Sequence, residues 1–114
     1  MAKGAGPEAY LPLRQASFHV LLALADGPLH GNGIRAAAEA LTGGSVKLWP
    51  VTLYGSIREL DESRLIEPAP GGESDARRRS WQLTKLGVRV LAAETARLRA
   101  IVEHAEGTRA VGRA

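Results

Sequence analysis

The twelve residues His30–Leu41, HGNGIRAAAEAL, decide how this chain is read. They contain Gly31-x-Gly33-x-x-Ala36, the glycine spacing that brings a backbone close to a dinucleotide pyrophosphate at the start of a helix. That reading needs a strand before Gly31, a parallel strand after the helix, and an acidic residue about twenty positions on. The upstream segment is instead helical in period. Phe18, Leu21, Leu22 and Ala25 stand at i, i+3, i+4 and i+7 within Leu13–Ala25. Pro28 interrupts the approach to Gly31, and the segment after Leu41 leads into a proline-started helix, not a parallel strand. The two glycines therefore belong to a helix-turn-helix. Gly31 lets two helices meet closely at a tight turn. Gly33 inside the second helix costs about 1 kcal/mol against alanine and has no explanation at the level of sequence.

Working outward, the first helix is stopped by Asp26-Gly27-Pro28, where Gly27 suits a left-handed cap and Pro28 cannot continue a helix. The second helix runs over Gly31–Leu41 and ends at Gly43-Gly44. A third starts at Pro50, which needs no amide hydrogen in the first turn, and extends to about Ser63 with Leu53, Ile57 and Leu60 on one face. The stretch LIEPAPGGESDARRRSWQLT, Leu65–Thr84, changes period. It reads as a short strand, a Pro/Gly-rich turn, and a return strand in which Trp81 and Leu83 alternate with Ser80 and Gln82. Thr84 then caps a long helix to about Glu106. The order helix, helix, helix, hairpin, helix predicts a mainly α fold with a small β-hairpin: a winged helix-turn-helix followed by a long C-terminal dimerisation helix. The expected organisation is a flexible arm over 1–10, a winged helix-turn-helix DNA-binding domain over 11–83, the dimerisation helix over 84–106, and a flexible tail over 107–114.

Composition narrows the function. A chain of 114 residues has room for one domain and buries a limited share of its surface, which favours pairing with a second copy. With no cysteine there is no disulfide and no thiolate chemistry. The three histidines, His19, His30 and His104, have no partner at i, i+4 to form a zinc pair. No serine stands in a nucleophile elbow and no paired carboxylates stand out, so neither an enzymatic role nor a cofactor or metal is expected. The longest apolar run, Val20–Ala25, is far too short to span a membrane, and the first ten residues lack the apolar core of a secretory signal; a cytoplasmic location is the expectation. The net charge of +3 is mild. Its placement is more informative, because Arg77, Arg78 and Arg79 are consecutive and fall in the hairpin.

In a winged helix-turn-helix the third helix enters the DNA major groove and the hairpin reaches the backbone or minor groove. With Leu53, Ile57 and Leu60 inward, Val51, Thr52, Gly55, Arg58, Glu59 and Glu62 face outward. Val51 and Thr52, at the N-terminal turn, are the expected base readers, and Gly55 permits close backbone approach. Tyr54 and Arg58 are candidate phosphate contacts, as are Arg77, Arg78 and Arg79 in the wing. Each also has a plainer reading: Thr52 and Arg58 as solvated surface, Tyr54 as an aromatic at the core rim, the arginine run as a solvated turn, and Glu59 and Glu62 as groups that repel phosphate. In the last helix Val88, Leu91, Thr95, Leu98 and Val102 recur at three- and four-residue steps, and Ile101 and Ala105 widen the stripe, which predicts a homodimer seam.

Three segments carry a family resemblance: LLALADGPLHGNGIRAAAE, WPVTLYGSIRELDESRLIE and RRRSWQLTKLGVRVL. Together they resemble the PadR family of bacterial winged-helix transcriptional regulators in its short form, with a single C-terminal helix. The resemblance spans about Leu13–Ala105. It is most specific at Leu29-His30-Gly31, at Thr52-Leu53-Tyr54 and in the basic run entering Leu83-Thr84. It implies a homodimeric repressor on a pseudo-palindromic DNA operator, the last helices crossing, with a small-molecule effector bound between those helices and the DNA-binding domains. Trp49 and Trp81 are the aromatics that would stack a flat effector. Structural roles are favoured for both: a hydrophobic staple for Trp49 and a core strand position for Trp81. The chain departs from the family pattern at Asn32, usually aromatic, at Gly55, usually proline, and at Arg64, usually glycine; Ser80-Trp81 replaces a tyrosine-rich strand. A winged-helix adaptor that binds protein and not DNA is the alternative reading.

Overall fold

The computed structural model describes residues 6–70 and 79–112. Its elements are a 3-10 turn at Pro7–Tyr10, α1 (Gln15–Ala23), β1 (Leu29–His30), α2 (Gly31–Leu41), α3 (Pro50–Glu62), β2 (Ile66–Pro68), β3 (Ser80–Leu83), α4 (Lys85–Glu106) and a short α5 (Arg109–Gly112). The order of the helices and the hairpin follows the sequence reading, and the winged helix-turn-helix is formed.

The first helix is turned relative to its expected stripe. Val20, Leu21, Ala23 and Leu24 are buried, Phe18 and Leu22 pack at the edge of the core, and Ala25 is exposed. The cause is that α1 ends at Ala23, so Ala25 falls in the turn, and the helix packs against α2, α3 and α4 at once. Gly27 closes the turn at φ 146°, a backbone region that side chains avoid. Leu29 and His30 then add a third strand that the hairpin reading did not contain: β1 pairs antiparallel with β3, Leu29 opposite Trp81 and His30 opposite Ser80. Two residues are too few to show an alternating pattern in sequence. The sheet order is β1-β3-β2, with Ile66 opposite Leu83 and Pro68 opposite Trp81.

The glycines now have physical reasons. Gly33 lies under the Leu29 side chain, where a Cβ would stand 3.2 Å from Cδ2. The cost of a glycine within α2 thus allows the strand preceding it to fold back over the first turn. Past α2, Gly43 and Gly44 adopt φ 63° and 87°, and the Gly44 N–H returns to the Glu39 carbonyl at 2.8 Å.

The start of α4 is bound to the end of α3. The Thr84 hydroxyl accepts from the Gly87 N–H at 2.9 Å and donates to the Arg64 carbonyl at 2.7 Å, while the Thr84 N–H donates to the Leu65 carbonyl at 3.1 Å. Gly87 approaches Leu65 so closely that a Cβ there would overlap its carbonyl oxygen. Further along α4, Glu94 is 1% exposed; its carboxylate accepts the Leu13 N–H at 2.9 Å and two bonds from the Arg97 guanidinium. The Arg97 hydrogen bonds hold its pKa below the ordinary glutamate value; the Leu13 N–H helps, and burial opposes them.

Both expected flexible ends contain structure. Pro7–Tyr10, within the expected 1–10 arm, packs on α4, with Tyr10, Leu11 and Leu13 against the core; residues 1–5 lie outside the described residues. Arg109–Gly112, within the expected tail, is helical. No helix among the described residues is long and apolar enough to cross a membrane.

Candidate nucleic-acid interface

The outward face of α3 is built by what its other face must bury. Leu53, Ser56, Ile57 and Leu60 go into the core, which leaves Val51, Thr52, Tyr54, Arg58, Glu59 and Glu62 exposed. Trp49 is the N-cap and Pro50 opens the helix. The staple expected of Trp49 is made by its neighbour. Leu48 precedes the cap and Leu53 stands at the fourth helical position, and both are buried in the core, while Trp49 is 67% exposed. The pattern is off by one residue because the cap itself points outward. Val51 is 89% exposed and Tyr54 43%. Gly55 has nothing within 4 Å of a built Cβ, so the fold leaves the middle of this face open.

Tyr54 is held by α2, its ring over Gly31. Arg58 is exposed. Glu59, read from sequence as repelling phosphate, is engaged by Arg14, whose guanidinium donates to both carboxylate oxygens at 3.2–3.3 Å. The sequence reading missed a second basic cluster. Arg35 and Lys47 flank Glu39 at 3.7 and 3.9 Å and line a recess with Leu48 and Trp49 beside the start of α3. They are twelve positions apart, and only the turn between α2 and α3 brings them together.

In the wing, Arg79 places its guanidinium 5.8 Å from the centre of the Trp81 ring. Arg77 and Arg78 lie outside the described residues. Trp81 is a core residue, 9% exposed, and packs under Arg79, in line with the structural role favoured for it.

The α4 stripe divides. Leu91 is buried in the domain's own core with Val90. Val88, Thr95, Ile101 and Val102 are exposed, and Leu98 and Ala105 are half-buried. The division falls near Glu94 because the globular part ends there, while α4, at 22 residues about 33 Å long, continues past it. No group of histidine, aspartate and glutamate among the described residues could hold a metal ion.

The family model of the PadR-like transcriptional regulators matches residues 20–93, from the first helix into α4. An uncharacterized 37.1 kDa protein in transposon TN4556 of Streptomyces fradiae is 42% identical over 79 residues, which are 69% of this chain and 21% of that protein. This chain thus spans about a fifth of that relative's length, given the 21% coverage. A transcriptional regulator from Clostridium thermocellum superimposes with a TM-score of 0.70 at 16% identity, covering 90% of this chain and 92% of that one. Bacillus subtilis PadR, in a complex with operator DNA, gives 0.60 at 19% identity over 72% of this chain and 47% of its own. Bordetella bronchiseptica BpsR, whose DNA binding is regulated by 6-hydroxynicotinic acid, gives 0.65 at 22% identity over 89% and 69%. At these identities the structural likeness is one of fold. The family assignment rests on the match over 20–93, which takes in the helix-turn-helix, the wing and the buried half of α4: the chain belongs to the PadR-like family of transcriptional regulators.

Proposed function

We propose that this protein is a homodimeric repressor that binds a pseudo-palindromic DNA operator by placing the first turn of α3 in the major groove. The observation that carries the reading is the open face of α3, where Val51, Thr52, Tyr54, Gly55 and Arg58 face solvent beside a wing bearing Arg79. Arg35 and Lys47 supply further phosphate contacts, since both lie by Trp49 at the start of α3. The exposed Val88, Thr95, Ile101 and Val102, with Leu98 and Ala105, supply the seam for a second copy. Two reading helices would then meet half-sites about 34–36 Å apart. Release by a small molecule is part of the reading, supported by the regulation of BpsR by 6-hydroxynicotinic acid. Trp49 is the exposed ring for such a ligand, and its fluorescence should respond to a planar aromatic carboxylate.

The test is selection from random duplex DNA with the purified protein, followed by a salt titration of the selected site. Several phosphate contacts predict a steep fall in affinity between low and moderate salt. A protein-docking adaptor would select no sequence. A monomeric mass at micromolar concentration would remove the dimer.

A further inference from the structure

The side chains that begin α3 restrict which bases they can recognise. Between Trp49 and Ile57 there is no arginine, lysine, asparagine, glutamine, aspartate or glutamate. Guanine is read by a cation on O6 and N7, adenine by a carboxamide on N6 and N7, and cytosine by a carboxylate on N4. The first two turns of α3 can make none of these contacts. The nearest charges on the helix are Arg58, two turns in, and Glu59, already bonded to Arg14. What these turns do present is apolar. Val51 is 89% exposed, so its isopropyl group is nearly uncovered by the rest of the chain, and Thr52 beside it exposes a methyl and a hydroxyl. Trp49, the N-cap residue before them, is 67% exposed as well.

We infer that Val51, with Thr52, recognises thymine through its 5-methyl group, so that each operator half-site carries a thymine where the N-terminus of α3 meets the groove. The thymine methyl is the one apolar group in the major-groove pattern, and an uncovered valine is its complement. Gly55 is consistent with this contact, because an open mid-face lets the helix lie deep enough for a short side chain to reach a base edge. The inference rests on the DNA-binding reading above and specifies its chemistry.

The test uses the full chain and the operator obtained by selection. Each thymine of one half-site is replaced in turn by deoxyuridine, which removes only the methyl group, and affinity is measured for the wild type and for Val51→Ala. Burial of one methyl predicts about a fourfold loss for deoxyuridine at one or two positions. In Val51→Ala the same replacement should change affinity less than twofold, and the salt slope should be unaltered. Val51 is exposed and alanine favours helix, so the variant should retain its fold, which its circular dichroism will report. If every deoxyuridine operator binds within twofold of the parent, the thymine inference falls while DNA recognition stands. If no duplex is selected even at low salt, the DNA-binding reading fails and the inference goes with it.

Discussion

The phenol of Tyr54, in α3, lies over Gly31, the first residue of α2: a Cβ built at position 31 falls 2.7 Å from its hydroxyl oxygen and 3.0 Å from its ring Cε1. The glycine that looked like part of a nucleotide fingerprint is thus a seat for an aromatic ring. It fixes α3 against α2, and Tyr54 remains 43% exposed on the outer face of α3.

Gly31→Ala should displace that ring and destabilise the fold by about 1–3 kcal/mol, the usual range for overpacking. In a Tyr54→Ala background the same change should cost much less, because the clash has gone. Urea denaturation of the four proteins in the cycle measures the coupling, and equal costs in both backgrounds would refute the seat.

Arg64 stands at φ 64°, left-handed, just after α3. This is where the family pattern usually has glycine, and the chain bears the steric strain of a Cβ there. Arg64→Gly should therefore stabilise the fold by about 0.5–1 kcal/mol net of the added unfolded-state entropy. Arg64→Ala keeps the Cβ and should give no such gain, which thermal unfolding will distinguish.

Gly87→Ala meets the Leu65 carbonyl, a backbone atom that cannot turn aside. A loss of about 3 kcal/mol is expected, at the upper end for overpacking, despite alanine's better helix propensity. A variant as stable as the wild type in urea would mean that α4 can slide off the end of α3.

Gly55→Ala separates stability from recognition. Nothing lies within 4 Å of the added methyl. The helix should gain about 1 kcal/mol, whereas affinity for the selected operator should drop if the groove approaches the backbone here. Unchanged affinity would place the DNA elsewhere on α3.

Glu94 gives the fold a defined acid sensitivity. Its folded pKa is depressed, chiefly by Arg97, so its stabilising effect is complete above the ordinary glutamate value of about 4.3 and is lost as pH falls through the lower folded value. The wild type should lose stability faster than Glu94→Gln on acidification below that value. At pH 7 the variant should be weaker by about 1–2 kcal/mol, since the half-buried Leu13 N–H and Arg97 lose a charged acceptor. Parallel pH profiles would show that folding does not shift the carboxylate's pKa.

Much of this architecture was legible from local chemistry. The bounds of α2, the proline start of α3, the Thr84 cap and the hairpin are set by capping groups, by proline and glycine, and by hydrophobic period, all properties of neighbouring residues. Val51, Thr52 and Arg58 could be placed on the outer face of α3 because a 3.6-residue period fixes the opposite face once Leu53, Ile57 and Leu60 are known. Contacts between distant segments were not legible. The pairing of β1 with β3, the Tyr54 ring over Gly31 and the bond from Leu13 to Glu94 join positions 23 to 81 residues apart. The same holds for Leu91. Helical spacing puts it on the stripe with Val88, Leu98 and Val102, but which part of a stripe the domain itself covers depends on where the other helices end. Sequence determined the elements and their faces, because those follow from short-range sterics and hydrogen bonding; the tertiary structure decided which faces meet, because that depends on packing between segments that are far apart along the chain.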